Sequence, residues 1–179
     1  MRLIIATLLL LGFMNCAIAQ DGAKTNMPYP PEEKSETTEM VILGTNGKQH
    51  RFTIEIARTE AQKAKGLMNR TELGADQGMI FLFDPPVEVG MWMKNTLIPL
   101  DMVFVNDKNR IFRLREGKPM DLTILRSMGK TTAVIELPGG TVKKQNIRLG
   151  DRILTPVLKN QPSAGGSGGQ GGGMSPSHN

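Results

Sequence analysis

Alternating apolar and polar positions define several short strands along the middle of the chain. Residues 50–57, HRFTIEIA, place Phe52, Ile54 and Ile56 between polar neighbours, which is typical of a strand buried on one face. Similar apolar runs, separated by turn residues, occupy residues 39–43, 79–84, 101–105, 110–115, 132–138 and 152–157. This spacing predicts a mainly β domain, a compact barrel- or sandwich-like fold of about seven short strands rather than repeated βαβ units.

Two short helices are predicted between these strands. Thr59 is followed three residues later by Gln62, a capping box that predicts a helix ending at Gly66. Thr141 is positioned to cap one further helical turn through residues 142–147. Both segments are too short to cover the two faces of a parallel sheet, so they do not change the predicted fold class.

The first nineteen residues have the pattern of an export signal. Arg2 precedes an apolar run at residues 3–14, and Ala-Ile-Ala before Gln20 fits a signal-peptidase site, so residues 1–19 are predicted to be a cleaved signal peptide. The run is shorter than the roughly 20 residues of a membrane-spanning helix. We therefore expect a periplasmic or secreted protein with no stable membrane insertion after cleavage. Cys16 leaves a lipid-anchored N-terminus as the alternative, although Asn15 is bulkier than that processing prefers.

Composition divides the remaining chain into three parts. Residues 20–37 combine prolines with charges and predict a disordered linker, and residues 161–179 form a Gly/Ser-rich tail that is also expected to be disordered. Residues 38–160 are expected to form one domain of ordinary size. Cys16 is the only cysteine, so a chain cleaved after Ala19 cannot supply a thiol nucleophile, a thiolate metal site or a redox dithiol.

Charge and aromatic content argue against nucleic-acid binding. The chain has 22 Lys and Arg against 17 Asp and Glu, a formal net charge of +5, and the two signs are interspersed. It has one Trp and one Tyr, too few for the aromatic platforms that stack on single-stranded nucleic acid. We therefore expect no nucleic-acid partner, and expect instead a small anionic ligand or a protein partner.

Four ordered blocks, GLMNRTEL-GADQGMIFLF, MWMKNTLIPLDMVFV, VIELPGGTV and LGDRI, resemble the DUF192 family, also called UPF0127. The resemblance runs from about Phe52 to Leu154 and implies a small, mainly β fold, often after an export signal, with no particular activity. Met91 stands where the family usually has an aromatic residue, and residues 120–132 lack the cysteines that many members carry. The matching positions are Gly66, Leu67, Met68, Arg70, Gly78, Met79, Phe81, Trp92, Met93, Asn95, Thr96, Pro99, Leu100, Asp101, Phe104, Glu136, Gly140, Gly150 and Asp151.

Polar residues interrupt the most apolar stretch of the chain, residues 90–105, GMWMKNTLIPLDMVFV. Asp101 is costly to bury unless it is paired, and Arg70 is the predicted partner of its carboxylate. Asn95 and Thr96 are expected to satisfy the remaining lone pairs of this carboxylate or to cap the break before Pro99.

Two interpretations of this cluster stay open. In the first, the polar side chains attach a loop to the barrel and have only a structural role. In the second, they form the floor of a small-anion pocket, where a guanidinium recognises a carboxylate or a phosphate. The predicted ligand-binding residues are Arg70, Asn95, Thr96, Asp101, Trp92 and Met93, the last two as an apolar wall.

Two other functions fit parts of the sequence. Met91 and Met93 would share one face of a strand over Gly90–Thr96, and thioethers select Cu(I), which makes a soft-metal site an alternative. Asp101 with Glu136 or Asp151 could serve a carboxylate-dependent, hydrolase-type enzyme. The chain has only two histidines, so triads and a three-histidine zinc site lack parts. We therefore assign no catalytic residue, metal or cofactor and favour a binding or accessory module over an enzyme.

Overall fold

The computed structural model describes residues 35–159, so the predicted signal peptide, most of the predicted linker and the predicted tail lie outside the described residues. No helix in this part of the chain is long and apolar enough to cross a membrane. Its elements, in chain order, are β1 Thr37–Leu43, β2 Gln49–Ala57, α1 Glu60–Lys65, β3 Gln77–Val87, β4 Gly90–Met91, β5 Leu100–Val105, β6 Ile111–Gly117, β7 Leu125–Arg126, β8 Thr131–Pro138, α2 Thr141–Gln145 and β9 Arg152–Leu154.

Seven strands form one sheet in the order β6-β5-β8-β3-β2-β1-β9, and β4 pairs with β7 in a second, small sheet. Strands β2 and β3 are parallel and are connected through α1, whereas the other neighbours in the large sheet are antiparallel. An antiparallel β-bridge joins Arg110, the residue before β6, to Arg152 in β9. Since β6 and β9 are the two edge strands, this bridge brings the edges of the sheet together. The sheet therefore curls into a half-barrel, which confirms the predicted mainly β fold.

The large sheet buries a different apolar cluster on each face. The inner cluster draws side chains from all seven strands, including Ile54, Ile80, Val103, Ile135 and Ile153, as expected inside a curled sheet. The outer cluster is made of the residues that alternate with them on the central strands, with Leu67 and Met93 from the connections; its strand members are Ala57, Met79, Phe81, Leu100, Met102, Phe104 and Val134. The small sheet and the loop after α1 therefore lie over the outer face.

The strand expected over Gly90–Thr96 is much shorter than predicted. Only Gly90–Met91 forms a strand, and the chain then turns back, with the Thr96 N–H donating to the Met93 carbonyl at 3.1 Å. Asn95 has a φ of 55°, a left-handed conformation that Asn adopts more readily than most residues. This early turn overrides the alternating pattern of the segment and places Met91 and Met93 in different environments.

Both predicted helices are present, but only the first is capped as expected. Thr59 and Gln62 form the capping box, and Gly66 ends α1. At α2 the cap residue is Gly140, without a side-chain hydrogen bond, and Thr141 is already helical. The N–H of the next residue, Val142, donates instead to Oδ2 of Asp101 at 2.7 Å. A carboxylate from β5 therefore satisfies a backbone donor that the sequence assigned to Thr141.

Gly78 allows the backbones of β3 and β8 to approach closely. A Cβ at this position would lie 2.6 Å from the carbonyl oxygen of Glu136 and 2.9 Å from Cδ2 of Leu137. The first atom is backbone and the second belongs to a buried side chain, so neither can move aside easily. A methyl group at position 78 would therefore push β3 and β8 apart.

Replacement of Gly78 by Ala should therefore lower the free energy of unfolding by on the order of 1–3 kcal/mol. Gly74→Ala is the matched control, because a Cβ there meets only the flexible side chain of Gln77. Urea denaturation of both variants measures the difference. Equal stability of the two variants would show that the β3–β8 approach does not constrain this residue.

Candidate functional site

Arg70, the predicted partner of Asp101, binds a different carboxylate. Its Nη1 and Nη2 atoms donate to Oε1 and Oε2 of Glu55 at 2.5 and 2.7 Å. Glu55 lies between Ile54 and Ile56, whose side chains belong to the inner cluster, so the Glu55 side chain projects from the outer face. The Arg70 guanidinium therefore lies on the outer side of the sheet in a bidentate pair with Glu55.

Asp101 projects from the opposite face. It precedes Val103, a member of the inner cluster, by two positions in β5, and it is only 2% exposed. Its carboxylate accepts the Val142 N–H at the start of α2. Because the sheet separates Asp101 from Arg70, the predicted ion pair between them is wrong. Each charge is satisfied by a nearer group that the sequence pattern did not identify.

Asn95 and Thr96 join neighbouring loops through their backbones. The Asn95 carbonyl accepts the N–H of Asn69 at 2.8 Å, which places the Asn95 turn beside the Arg70 loop. Thr96 is buried, its hydroxyl donates to the carbonyl of Lys94 at 3.4 Å, and its own carbonyl accepts the Met120 N–H at 3.0 Å. Neither side chain forms a hydrogen bond with Asp101, and both residues lie on the same side of the sheet as Arg70.

Trp92 and Met93 face different surroundings. Trp92 is about half exposed, and the ammonium of Lys94 lies 5.2 Å from the centre of its ring. Met93 is almost completely buried, and its sulfur lies 2.5 Å from where a Cβ on Gly117 would be. The Met93 thioether therefore fills the space that a side chain at position 117 would otherwise occupy. Met91 and Met93 do not share one strand face, which the predicted Cu(I) site required.

A cleft of about 330 Å³ lies on the outer side, between α1, the small sheet and the large sheet. Its volume is within the range of about 300–1,000 Å³ that is typical of small-molecule sites. Two of the predicted ligand-binding residues, Trp92 and Thr96, line it. The apolar wall consists of Leu67, Phe81, Phe83, Val89, Met91 and Trp92.

Glu136 forms the polar floor of this cleft. It lies in β8 between Met79 of β3 and Met102 of β5, and it is 4% exposed. Within residues 35–159 no hydrogen bond to its carboxyl group is found, and the residue lines the cleft. A buried carboxyl group without a partner is uncommon, because burial of a polar group normally requires a hydrogen bond.

Burial changes the protonation of this carboxyl group. Loss of hydration disfavours the ionised form and raises the pKa of Glu136 from an ordinary value of 4.5 to about 8. Glu136 is therefore mostly protonated at neutral pH, with one O–H donor and free acceptor capacity facing the cleft. The sequence signal was a glutamate inside an apolar strand, VIELP, and the sequence alone marked Glu136 as a position that matches the family and as a possible catalytic partner of Asp101.

Other charged side chains lie near the mouth of the cleft, on α1. Lys63 bonds Glu60 at 3.0 Å, and its ammonium also lies 5.0 Å from the centre of the Phe83 ring. Lys65 contributes a second cation to the lining. Beyond the cleft, the same outer face carries Glu55 with its bound Arg70. The cleft thus combines an apolar wall and a protonated floor with lysines at its edge.

The carboxylate pairs considered for catalysis are not assembled. Asp101 lies opposite Leu137 in the sheet, one residue from Glu136, so the carboxyl groups of Asp101 and Glu136 project from opposite faces. Asp151 accepts the N–H groups of Thr45 and Arg148 at 2.9 and 2.7 Å. Both partners proposed for Asp101 are therefore engaged or directed elsewhere.

Comparisons with known proteins place the cleft within a family domain. The sequence profile of the DUF192 family, described as "Uncharacterized ACR", matches residues 41–155. A crystal structure from Sinorhizobium meliloti 1021, named as a "putative transcription regulator", is 34% identical with a TM-score of 0.68, over 69% of this chain and 97% of that chain. A protein of unknown function from Novosphingobium aromaticivorans DSM 12444 is 42% identical with a TM-score of 0.66, over 69% and 89%. No protein in the curated comparison matches.

The raised pKa of Glu136 predicts a pH-dependent stability. Between the unfolded value near 4.5 and the folded value near 8, the folded state holds a proton that the unfolded state has lost. Stability should therefore fall as pH rises through this window, by at most about 1.4 kcal/mol per pH unit from this group. Glu136→Gln, which stays neutral, should remove this part of the slope.

Urea denaturation at intervals between about pH 5 and about pH 8 measures the effect. Glu116→Gln, a change of an exposed glutamate in β6, is the matched control and should retain the wild-type slope. Parallel pH profiles for wild type and Glu136→Gln would contradict the assignment of a buried, protonated Glu136.

Proposed function

Because this chain belongs to the DUF192 family, whose description assigns no activity, we propose its function from the cleft: it is a module that binds a small organic acid. The apolar body of the ligand occupies the cleft, and its carboxylate accepts a hydrogen bond from protonated Glu136. The observation that carries this proposal is the buried residue Glu136, 4% exposed, whose carboxyl group has no hydrogen bond within residues 35–159 and lines an apolar cleft.

The charge of the lining supports an anionic ligand. With Glu136 protonated, the ionised groups of the lining are Lys63, Lys65 and Glu60, and two cations with one anion give a net charge of +1. The Glu60 side chain is 91% exposed, so water screens its negative charge more strongly than charges deeper in the cleft. A ligand carboxylate would therefore enter a positive field and replace its lost hydration by a bond to the floor.

The proposal keeps the small-anion chemistry expected from the sequence and changes its location. The Arg70 guanidinium forms a bidentate ion pair with Glu55, and Asp101 lies on the other face of the sheet. In this proposal the carboxyl group of Glu136, rather than Arg70, binds the ligand carboxylate. Trp92 and Thr96, which the sequence predicted as ligand-binding residues, also line the cleft. The neutral acid can donate a hydrogen bond to a ligand carboxylate, whereas its ionised form would repel that ligand.

We also propose where in the cell this module works. The signal-like pattern of residues 1–19 supports a periplasmic or secreted binding module, with the lipid anchor at Cys16 as its alternative. The name of the S. meliloti relative refers to transcription in that protein. For this chain the interspersed charges and scarce aromatic residues support a small acid rather than a nucleic acid.

Cu(I) binding is the second candidate, favoured by the methionines around Glu136. Met68 and Met91 line the cleft, and Met79 and Met102 flank Glu136 in the sheet. Thioethers prefer Cu(I), but the same side chains also fill irregular gaps in cores. A Cu(I) titration against a chelator decides this point, because loss of affinity in Met91→Leu would support a metal site, and unchanged affinity would end it.

Ligand binding should weaken as pH rises through the pKa of Glu136. We expect simple aliphatic and aromatic carboxylates to raise the melting temperature of wild type at about pH 6. At about pH 9 the ionised Glu136 should repel them, and affinity should fall roughly tenfold for each pH unit above its pKa. Thermal shift and calorimetric titration at both pH values measure this.

Three variants locate the bound carboxylate. Glu136→Gln retains an N–H donor and should bind at both pH values, whereas Glu136→Met, with an apolar side chain of similar length, should lose binding. Glu116→Gln is the control for an exposed glutamate. Stabilisation by alkylamines instead of carboxylates, increasing with pH, would overturn the proposal. Loss of binding in Arg70→Gln but not in Glu136→Met would show that the anion binds at the Arg70 loop instead of at Glu136.

A further inference from the structure

Most of the exposed large apolar side chains of residues 35–159 lie in two segments, 87–97 and 117–130. The most exposed are Leu122 at 65% and Met128 at 64%. The complete set in these segments is Val87, Trp92, Leu97, Met120, Leu122, Ile124 and Met128, which we call the apolar patch. Only Leu149, among the exposed large apolar residues described, lies elsewhere in the sequence. Clustering of this kind marks interaction surfaces rather than ordinary scattered exposure.

Backbone bonds hold the two segments together as one layer. Strand β4 pairs with β7, which places Gly90 opposite Arg126. The Met93 N–H donates to the Asp121 carbonyl at 3.0 Å, and the Met120 N–H donates to the Thr96 carbonyl at the same distance. The small sheet packs its inward residues, including Met91, on the outer cluster of the large sheet. The apolar patch is therefore carried by a layer whose other side is already buried.

Cations lie in the same two segments as the apolar patch. Lys94, Lys118, Arg126 and Lys130 are exposed within the same two segments. The acids of these segments are Glu88 and Asp121, and Oδ1 of Asp121 already accepts the N–H of Thr123 at 2.8 Å. The charge of the layer is therefore +2, from four cations and two anions. Lysines are depleted in protein interfaces but frequent beside apolar surfaces that contact anionic lipids.

We propose that the apolar patch adsorbs to the surface of an anionic lipid bilayer, with Trp92, Leu122 and Ile124 entering the headgroup region and the surrounding cations contacting lipid phosphates. This mode is peripheral and differs from membrane insertion, because the chain contributes loop side chains rather than a spanning element. Trp92 suits such a position, since its ring has an apolar body and a polar N–H and is enriched at membrane interfaces. The proposal does not require a ligand in the cleft, although Trp92 lies in both the apolar patch and the cleft lining.

The test uses the single tryptophan of the chain as its reporter. The protein is isolated from cells that express the full coding sequence, and its N-terminus is defined by mass spectrometry. Vesicles of phosphatidylglycerol and phosphatidylcholine, and vesicles of phosphatidylcholine alone, are titrated while Trp92 emission and co-flotation are recorded. We expect a blue shift and flotation with the anionic vesicles, both weakened by added salt.

Matched variants separate the patch from the rest of the chain. Leu122→Ser with Ile124→Ser should reduce partitioning at least about tenfold, because two exposed apolar side chains lose their transfer into the interface. Leu149→Ser, at a similarly exposed residue outside the patch, should partition as wild type. Lys118→Gln with Arg126→Gln should weaken binding to anionic vesicles, whereas Lys108→Gln should not.

Several results would overturn the proposal. Absence of flotation with anionic vesicles would exclude a lipid surface, and so would equal flotation of wild type and the Leu122→Ser/Ile124→Ser variant. A concentration-dependent dimer in light scattering that this variant dissolves, without vesicle binding, would assign the patch to a second copy of the chain. A shift of Trp92 emission with duplex DNA but not with vesicles would assign it to nucleic acid.

Discussion

The arrangement on the outer side of the sheet depends on the burial of one carboxyl group, that of Glu136. Its strand neighbours are methionines, and the segments above it supply an apolar wall. Burial therefore reduces the hydration of the carboxyl group, which retains its proton to about pH 8. An unpaired acid at this depth costs stability, and a ligand that accepts its hydrogen bond would recover part of that cost. The same constraint links the fold, its pH dependence and the proposed ligand.

The curled sheet assigns different tasks to its two faces. On the inner face, Asp101 accepts a backbone N–H of α2 and so connects β5 to the segment that follows β8. On the outer face, Arg70 and Glu55 form a bidentate pair beside the cleft, and the Asn69–Asn95 bond joins the two loops above the sheet. These polar groups hold loops in place around the cleft, and Glu136 lines the cleft with a buried carboxyl group whose pKa is raised by burial alone.

Local patterns in the sequence were sufficient for the seven strands of the large sheet, for the capping box at Thr59 and for the mainly β fold. They were insufficient for the site, because face assignment and pairing depend on sheet register. Alternation could place Asp101 on one face of β5, but no pattern showed that Glu55, fifteen residues before Arg70, would bind that arginine from the other face. The strand expected at Gly90–Thr96 failed because a left-handed Asn95 and bonds to the loop after β6 outweighed its alternation.

A carbon-13 NMR titration of the glutamate side-chain carboxyl carbons, with Glu136→Gln used to assign the Glu136 signal, tests the central claim most directly. The structure predicts that this signal titrates at about pH 8, well separated from exposed glutamates near 4.5. Titration of Glu136 with the other glutamates would mean that water or another group already solvates its carboxylate. The cleft would then lack the protonated donor on which the proposed recognition of an organic acid is built.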